Sequence, residues 1–381
     1  MARGAETQAL IDRIRASGDA VRQAVARVTP GKLEVSPRPG DWSVLETLVH
    51  LRNVVVMVHG LRIRRLVYEE APVFADYDEA MHRRATLERR PAADHLVSMV
   101  MAEHQQLAAL LSELPDDAWH RTGRHPELGE MSIRFLAARV AEHAEEHAKQ
   151  IRTTADEVLE HARRRVRGVA QESLQRGDGT GWFERVYATA EGNPGAIPWV
   201  DLRANRSVLE WIRREGLTGA GQKALVVGCG VGDDAEQLAR LGFEVVAFDI
   251  APSAIDWCRR RFPSSPVQYT VADVLTPPAA WRHAFDFVLE AFTVQVLTGA
   301  LRARAIASIA GFVAPEGTLL VVAGGREPED DPGSMPWPLT RNELGGFEQA
   351  GLRAVHVEDY LDHQADPPVR RFRVRYQRPG E

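Results

Sequence analysis

Residues 224–249, ALVVGCGVGDDAEQLARLGFEVVAFD, constrain this chain more than any other stretch. An apolar run from Ala224 to Val227 ends in Gly228-Cys229-Gly230-Val231-Gly232. A helical pattern follows through Leu238, and a second apolar run stops at Asp249. That order predicts strand, glycine turn, helix, strand and acid, a βαβ unit suited to a nucleotide-like cofactor. Glycines let the backbone turn sharply and approach a ligand with no Cβ in the way. Asp249 at the strand tip can accept hydrogen bonds from both ribose hydroxyls, or it can cap a helix beginning at Pro252.

The kind of cofactor follows from the turn. Dinucleotide sites want glycine or alanine at the sixth fingerprint position, where pyrophosphate approaches. Here Asp233 and Asp234 stand at the helix N-terminus and would repel an anion. They suit a ligand carrying positive charge. G-x-G-x-G with the distal Asp249 resembles the first two motifs of class I S-adenosylmethionine (SAM)-dependent methyltransferases, whose cofactor carries a sulfonium and an amino group. The following pattern agrees with that family. VQYTVADVL (267–275) predicts a third strand ending at Asp273, and AFDFVLEAFTVQVL (284–297) a fourth strand running into a loop. Ala300–Val313 predicts a helix, GTLLVVAGG (317–325) a fifth strand and Leu339–Ala350 a helix. Arg353–Tyr360 and Arg370–Tyr376 complete the set as strands.

The resemblance implies a Rossmann-like α/β domain over residues 176–381 that binds SAM through Gly228, Gly230, Gly232, Asp249, Ile250, Asp273, Val274 and Glu290. Asp273 would meet the adenine amino group, although a solvated turn is its other reading. Glu290, Thr293 and Gln295, on the loop after the fourth strand, are the candidate catalytic residues on the acceptor side. Glu290 could act as a base or hold the SAM amino group. The preface Trp182-Phe183-Glu184-Arg185-Val186-Tyr187 with Pro198-Trp199 resembles the lid of the small-molecule branch that includes thiopurine, tellurite and thiol methyltransferases. Trp182, Tyr187 and Trp199 are therefore lid candidates, with cation–π contact to a sulfonium as one role and anchoring of the lead-in helix as the other. No His or Lys in the acceptor loop offers a base, which favours an acceptor already nucleophilic near neutral pH, such as a thiol or imidazole.

The first half differs in kind. Thr7–Val28, Ser43–Val67, Ala92–Leu114 and Ser132–Thr154 carry helical periodicity, with loops between them and no strand-rich segment. Four such helices predict an all-α four-helix bundle over residues 1–155. Ser43 and Glu46 form an S-x-x-E capping box opening the second helix. Residues 156–175 are expected to be a helical, basic linker containing Arg163-Arg164-Arg165-Val166-Arg167. His143 and His147 lie one turn apart on one helix face, and His50 sits inside the second helix.

Trp42-Ser43 followed by His50-Leu51, with H-x(3)-H on the fourth helix, resembles the DinB-like superfamily. That resemblance implies a three-histidine metal site of His50, His143 and His147 for a divalent metal: zinc, iron or nickel. Some members of that superfamily use thiol cosubstrates. The alternatives are an exposed, salt-bridged histidine face among Glu142, Glu145 and Glu146, and a metal-free binding or dimerisation bundle. A third is a thiol-dependent transferase fused to the methyltransferase.

Composition narrows the surroundings. A net charge of −6 argues against a nucleic-acid scaffold, and no uninterrupted apolar stretch approaches the ~20 residues of a membrane span. Two cysteines suggest no disulfide framework and make a reducing cytoplasm the expected location. A small-molecule substrate is the expected partner, with a homodimer left open.

Overall fold

The computed structural model describes residues 4–363 and 367–380. The chain divides into two compact units, Met1–His161 and Ala162–Glu381.

The first unit is built from α1 (Ala5–Ala26), α2 (Val44–Val54), α3 (Leu61–Tyr68), α4 (Glu79–Leu87) and α5 (Ala93–Glu113). The strands β1 (Thr122–His125) and β2 (Gly129–Ser132) follow, then the first part of α6 (Ile133–Gln175). Ser43 caps α2 through the anticipated box: its side chain accepts from the Glu46 N–H, and Glu46 accepts from the Ser43 N–H. A π-helical turn, Val55–Gly60, joins α2 to α3. Ile11, Ile14 and Val21 meet Leu48, Leu51, Val100, Leu107, Leu136, Val140 and Ala144 in one apolar core. Val44–Tyr68 has the length and composition of a membrane span, but its most apolar window is 61% buried inside the protein. It is accounted for as a core helix.

Two expectations need correction. A hairpin does interrupt the helices, with β1 and β2 antiparallel from Thr122↔Ser132 to His125↔Gly129. Its turn is fixed by the His125 ring, whose Nδ1 accepts from the Glu127 and Leu128 N–H groups. Four-residue strands are too short for alternation to register. The short α4, which buries none of its residues, likewise has no apolar stripe to betray it.

The second unit holds the end of α6, then α7 (Trp182–Ala190), α8 (Arg206–Glu215), β3 (Lys223–Val227), α9 (Asp233–Arg240), β4 (Glu244–Asp249) and α10 (Pro252–Arg261). It continues with β5 (Gln268–Val271), β6 (Phe285–Ala291), α11 (Gly299–Phe312), β7 (Val313–Gly324), α12 (Arg341–Leu344), α13 (Gly346–Gln349), β8 (Arg353–Asp362) and β9 (Val369–Gln377). One seven-stranded sheet runs β5-β4-β3-β6-β7-β9-β8. Its first four pairings are parallel, and β9 joins β7 and β8 antiparallel. Leu225, Val227, Val288, Leu319 and Val321 pack on one face, and Ala224, Val226, Ala247, Leu289 and Val322 on the other. Burial on both faces is why these strands read as continuous apolar runs rather than alternating ones.

The architecture is therefore a helical bundle followed by a Rossmann-like α/β domain. Residues 156–175 are helical, the last part of α6. The helix expected over Leu339–Ala350 is two short turns, α12 and α13, broken at Gly345. The third strand stops at Val271, before Asp273, because Asp273 closes a turn: its Oδ1 accepts from the Leu275 N–H and its carbonyl from the Thr276 N–H.

Candidate functional site

The glycine turn lies between β3 and α9, at the carboxyl ends of the parallel strands. Gly230 and Gly232 have φ of +55° and +94°, left-handed values that a side chain rarely adopts. A Cβ on Gly230 would stand 3.1 Å from the Tyr187 hydroxyl, and one on Gly232 would collide with the Tyr269 hydroxyl at 2.6 Å. Gly228, also left-handed, faces Thr293. The turn is thus a cradle that side chains would fill.

Asp249 closes β4 beside it. Its Oδ2 accepts from the Gly230 N–H at 3.0 Å and its Oδ1 from the Ala251 N–H at 3.0 Å, which fixes the carboxylate across the turn. Burial, opposed by these N–H groups, lifts its pKa to about 6. Each oxygen keeps a lone pair for a hydroxyl donor. The helix-start acids behave differently from the expectation. Asp233 forms a two-pronged pair with Arg261, both contacts at 2.8 Å, and Asp234 accepts from the Asn205 N–H at 2.6 Å. Both carboxylates are engaged within the fold rather than left for a ligand's positive charge.

Glu290, on β6, is fully buried. Its Oε1 accepts from the Thr293 and Val294 N–H groups at 2.7 and 3.0 Å, while its Oε2 has no partner among the described residues. Burial pushes its pKa up to about 7. Thr293 donates to the Val227 carbonyl at 3.2 Å, tying the β6 loop to the end of β3. Gln295 accepts from the Gly324 N–H at 2.8 Å, tying the same loop to the end of β7. The Thr293 hydroxyl and the Gln295 amide oxygen are thus both engaged with the scaffold. Ile250 and Val274 are half-buried next to the two acids, and Val274 packs on the sheet core.

The aromatic preface splits in two. Trp182 is buried and stacked on Phe183 at 3.7 Å, an anchor of α7. Tyr187 reaches the turn, where its hydroxyl accepts from the Trp199 indole N–H at 2.8 Å. Burial first, then the Asp249 charge, raises the Tyr187 pKa. Trp199 is 41% exposed. Tyr187 and Trp199 thus border the turn, whereas Trp182 supports them.

In the first unit the three predicted histidines converge. The His143 Nε2 lies 3.1 Å from the His50 Nε2 and 3.0 Å from the His147 Nε2, and one ligand atom from each falls within 4.8 Å of the others. The His50 Nδ1 bonds Glu79 at 2.9 Å and the His147 Nδ1 bonds Gln150 at 2.7 Å. A carboxylate and an amide oxygen only accept, so both rings donate from Nδ1 and turn Nε2 toward His143, where a neutral imidazole would present its lone pair. One His143 proton cannot satisfy two lone pairs. A cation can, and ligands of a tetrahedral ion at ~2.0–2.1 Å stand about 3.3 Å apart, near the 3.1 and 3.0 Å that separate His143 from His50 and His147. Burial, then the neighbouring imidazoles His147, His59 and His50, depresses the His143 pKa to about 2, and burial also lowers that of His147. These rings are held neutral, as ligands must be.

The sequence offers no local sign of the carboxylate behind His50. Glu79 comes from α4 and is itself bonded by Arg83, whose guanidinium lies over the Trp42 ring at 4.3 Å. Trp42 in turn packs against His50. Gln150 was legible, three residues beyond His147 on one helix. His59 is not singled out by the sequence. It lies in the π-helical turn with its ring 5.7 Å from that of His143.

Comparison with known proteins agrees with both halves. Residues 13–151 match the family model described as DinB superfamily, and residues 225–321 the model described as methyltransferase domain. The first stretch is thus similar to DinB-superfamily domains and the second to methyltransferase domains. A protein of Oceanobacillus iheyensis named as a candidate metal-dependent hydrolase is 28% identical over 131 residues, 34% of this chain and 75% of that protein. YfiT of Bacillus subtilis, a four-helix bundle also named for metal-dependent hydrolysis, is 22% identical. It covers 39% of this chain and 88% of its own, with a TM-score of 0.36. A structure described as a SAM-dependent methyltransferase of Methanosarcina mazei is 17% identical and covers 47% of this chain and all of its own, with a TM-score of 0.38.

Proposed function

We propose that this chain transfers a methyl group from SAM to a small acceptor, a thiol or an imidazole-type metabolite, and that its bundle holds a divalent metal serving that acceptor. The observation that carries the donor site is the glycine cradle closed by Asp249 with the orphaned, buried Glu290 Oε2 nearby. SAM supplies an electrophilic methyl on a sulfonium. Asp249 would hold the ribose hydroxyls, Asp273 and Val274 would border the adenine beside Ile250, and the free oxygen of Glu290 would take the amino group. Tyr187 and Trp199 would cover the turn and exclude water, the alignment and desolvation that an in-line displacement needs. Thr293 and Gln295 position the acceptor loop.

The converging lone pairs of His50, His143 and His147 fit zinc, iron or nickel, with Glu79 and Gln150 orienting the first and last of these rings. Such a metal lowers the pKa of a coordinated thiol. A metal-free bundle that merely binds or dimerises is the reading these lone pairs oppose.

Calorimetric titration with SAM tests the assignment. Asp249→Ala should abolish binding while His143→Ala binds like the parent. If both variants bind SAM like the parent, the donor site lies elsewhere.

A further inference from the structure

The strand β9 carries four arginines, and three of them are spoken for. Arg370 makes two-pronged contacts of 2.7 Å with Asp359, Arg373 pairs with Glu358 at 2.6 and 3.0 Å, and Arg375 reaches Glu215 at 3.3 Å. Arg371 does not follow them. Among the described residues its guanidinium donates no hydrogen bond, and its ion pair with Asp362 is 3.8 Å long. Its side chain is nonetheless only 26% exposed, and burial lowers its pKa, with Arg163 adding a like charge. Most of the side chain is covered, yet the five donors of its rigid fork meet no hydrogen-bond acceptor among the described residues and are left to solvent and the long Asp362 pair.

Its place in the fold gives it a use. Arg371 pairs in register with Gly324, the last residue of β7, and its guanidinium lies 5.0 Å from the Phe292 ring centre. Phe292 is the first residue after β6. Its φ of +64° is a left-handed conformation that a bulky residue seldom takes, and it turns the chain directly into Thr293 and hence to the glycine turn. A cation on β9, flanked by an aromatic face, thus stands at the carboxyl ends of β6 and β7, beside the loop that borders the proposed donor site. Ligands of open α/β sheets bind at those strand ends.

We propose that Arg371, flanked by Phe292, binds a carboxylate of the methyl acceptor, so that the acceptor is a small thiol or imidazole compound bearing an acid group. The inference rests on the methyl-transfer reading above. The planar fork of arginine matches a carboxylate bidentately, and Asp362 at 3.8 Å holds the guanidinium loosely enough to be replaced.

Two measurements on the full chain test it. The first maps phenylglyoxal modification of Arg371 in the presence of S-adenosylhomocysteine. Imidazole-4-acetate and 3-(methylthio)propionate should protect Arg371, whereas 4-methylimidazole, 2-(methylthio)ethanol and plain acetate at equal concentration should not. Equal protection by acids and neutral analogues, protection by acetate alone, or no protection overturns the proposal. The second follows labelled methyl transfer into a small-molecule extract sorted by anion exchange. The parent should label an anion-retained product. Arg371→Gln should raise KM about tenfold to a hundredfold, the scale of a lost charged hydrogen bond, with Arg371→Lys intermediate and SAM binding unchanged in both. A neutral or cationic product, or a glutamine variant that transfers like the parent, contradicts the subsite. Absence of transfer by a parent that binds SAM counts instead against the methyl-transfer reading, and the protection experiment then decides the subsite alone.

Discussion

Glu290 concentrates the chemistry at the scale of single residues. One of its oxygens takes two backbone N–H groups and the other takes none. Burial lifts its pKa from 4.5 to about 7, so the folded protein holds the Glu290 proton more tightly than the unfolded chain does. Its contribution to stability is therefore fullest below pH 4.5 and is lost as pH rises through 7, by on the order of 3 kcal/mol at most. Glu290→Gln should remove that slope from chemical-denaturation curves taken between pH 4.5 and 7. An unchanged slope would show that another group carries it. In the proposed complex the SAM ammonium favours the ionised carboxylate, so the Kd for SAM should climb as pH falls from 8 to 6.5 in the parent and stay flat in the variant. At this scale the sequence was legible where a motif fixes the residue, as for Asp249 and the three histidines. Asp233 was misread because its partner, Arg261, is 28 residues away, and only the fold brings the two within 2.8 Å.

Among the elements, those with a strong local signal were read from the chain and those without one were missed. The capping box of Ser43 and Glu46 announces α2, and with α2 it places His50. The apolar runs of β3, β4 and β6 and the glycine turn announce the half-sheet that carries the proposed donor site. By contrast α4 has no buried face, yet it delivers Glu79 to His50, so the support of the proposed metal site was hidden although its three histidines were named. The strand β9 was expected over Arg370–Tyr376, where the apolar Phe372, Val374 and Tyr376 alternate. The arginines that alternate with them meet their partners on β8, α8 and the β6 loop, which no spacing on β9 foretells. The α2 box gives a prediction of its own. Ser43→Ala should destabilise the first unit by about 1 kcal/mol, read as a lower thermal midpoint for the bundle. SAM binding should be unaffected. A midpoint unchanged within error would mean that the cap contributes nothing.

At the scale of the whole molecule, the chain carries two kinds of candidate site on two compact units. One is a backbone cradle at the ends of parallel strands, shaped by glycines. The other is a set of imidazole lone pairs held inward by Glu79 and Gln150 from the sides of helices. Each unit has its own apolar core, which is why both folds could be read separately from one sequence by periods of 3.6 and by buried runs. What the halves accomplish together is a question of chemistry, and one measurement addresses it most directly. Labelled SAM is incubated with a small-molecule extract and either the parent or the His50→Ala/His143→Ala/His147→Ala variant, after both are shown to be folded and to bind SAM. The account predicts label in a small product from the parent and none from the variant. Equal labelling by both proteins would contradict it and leave the bundle without a part in methyl transfer.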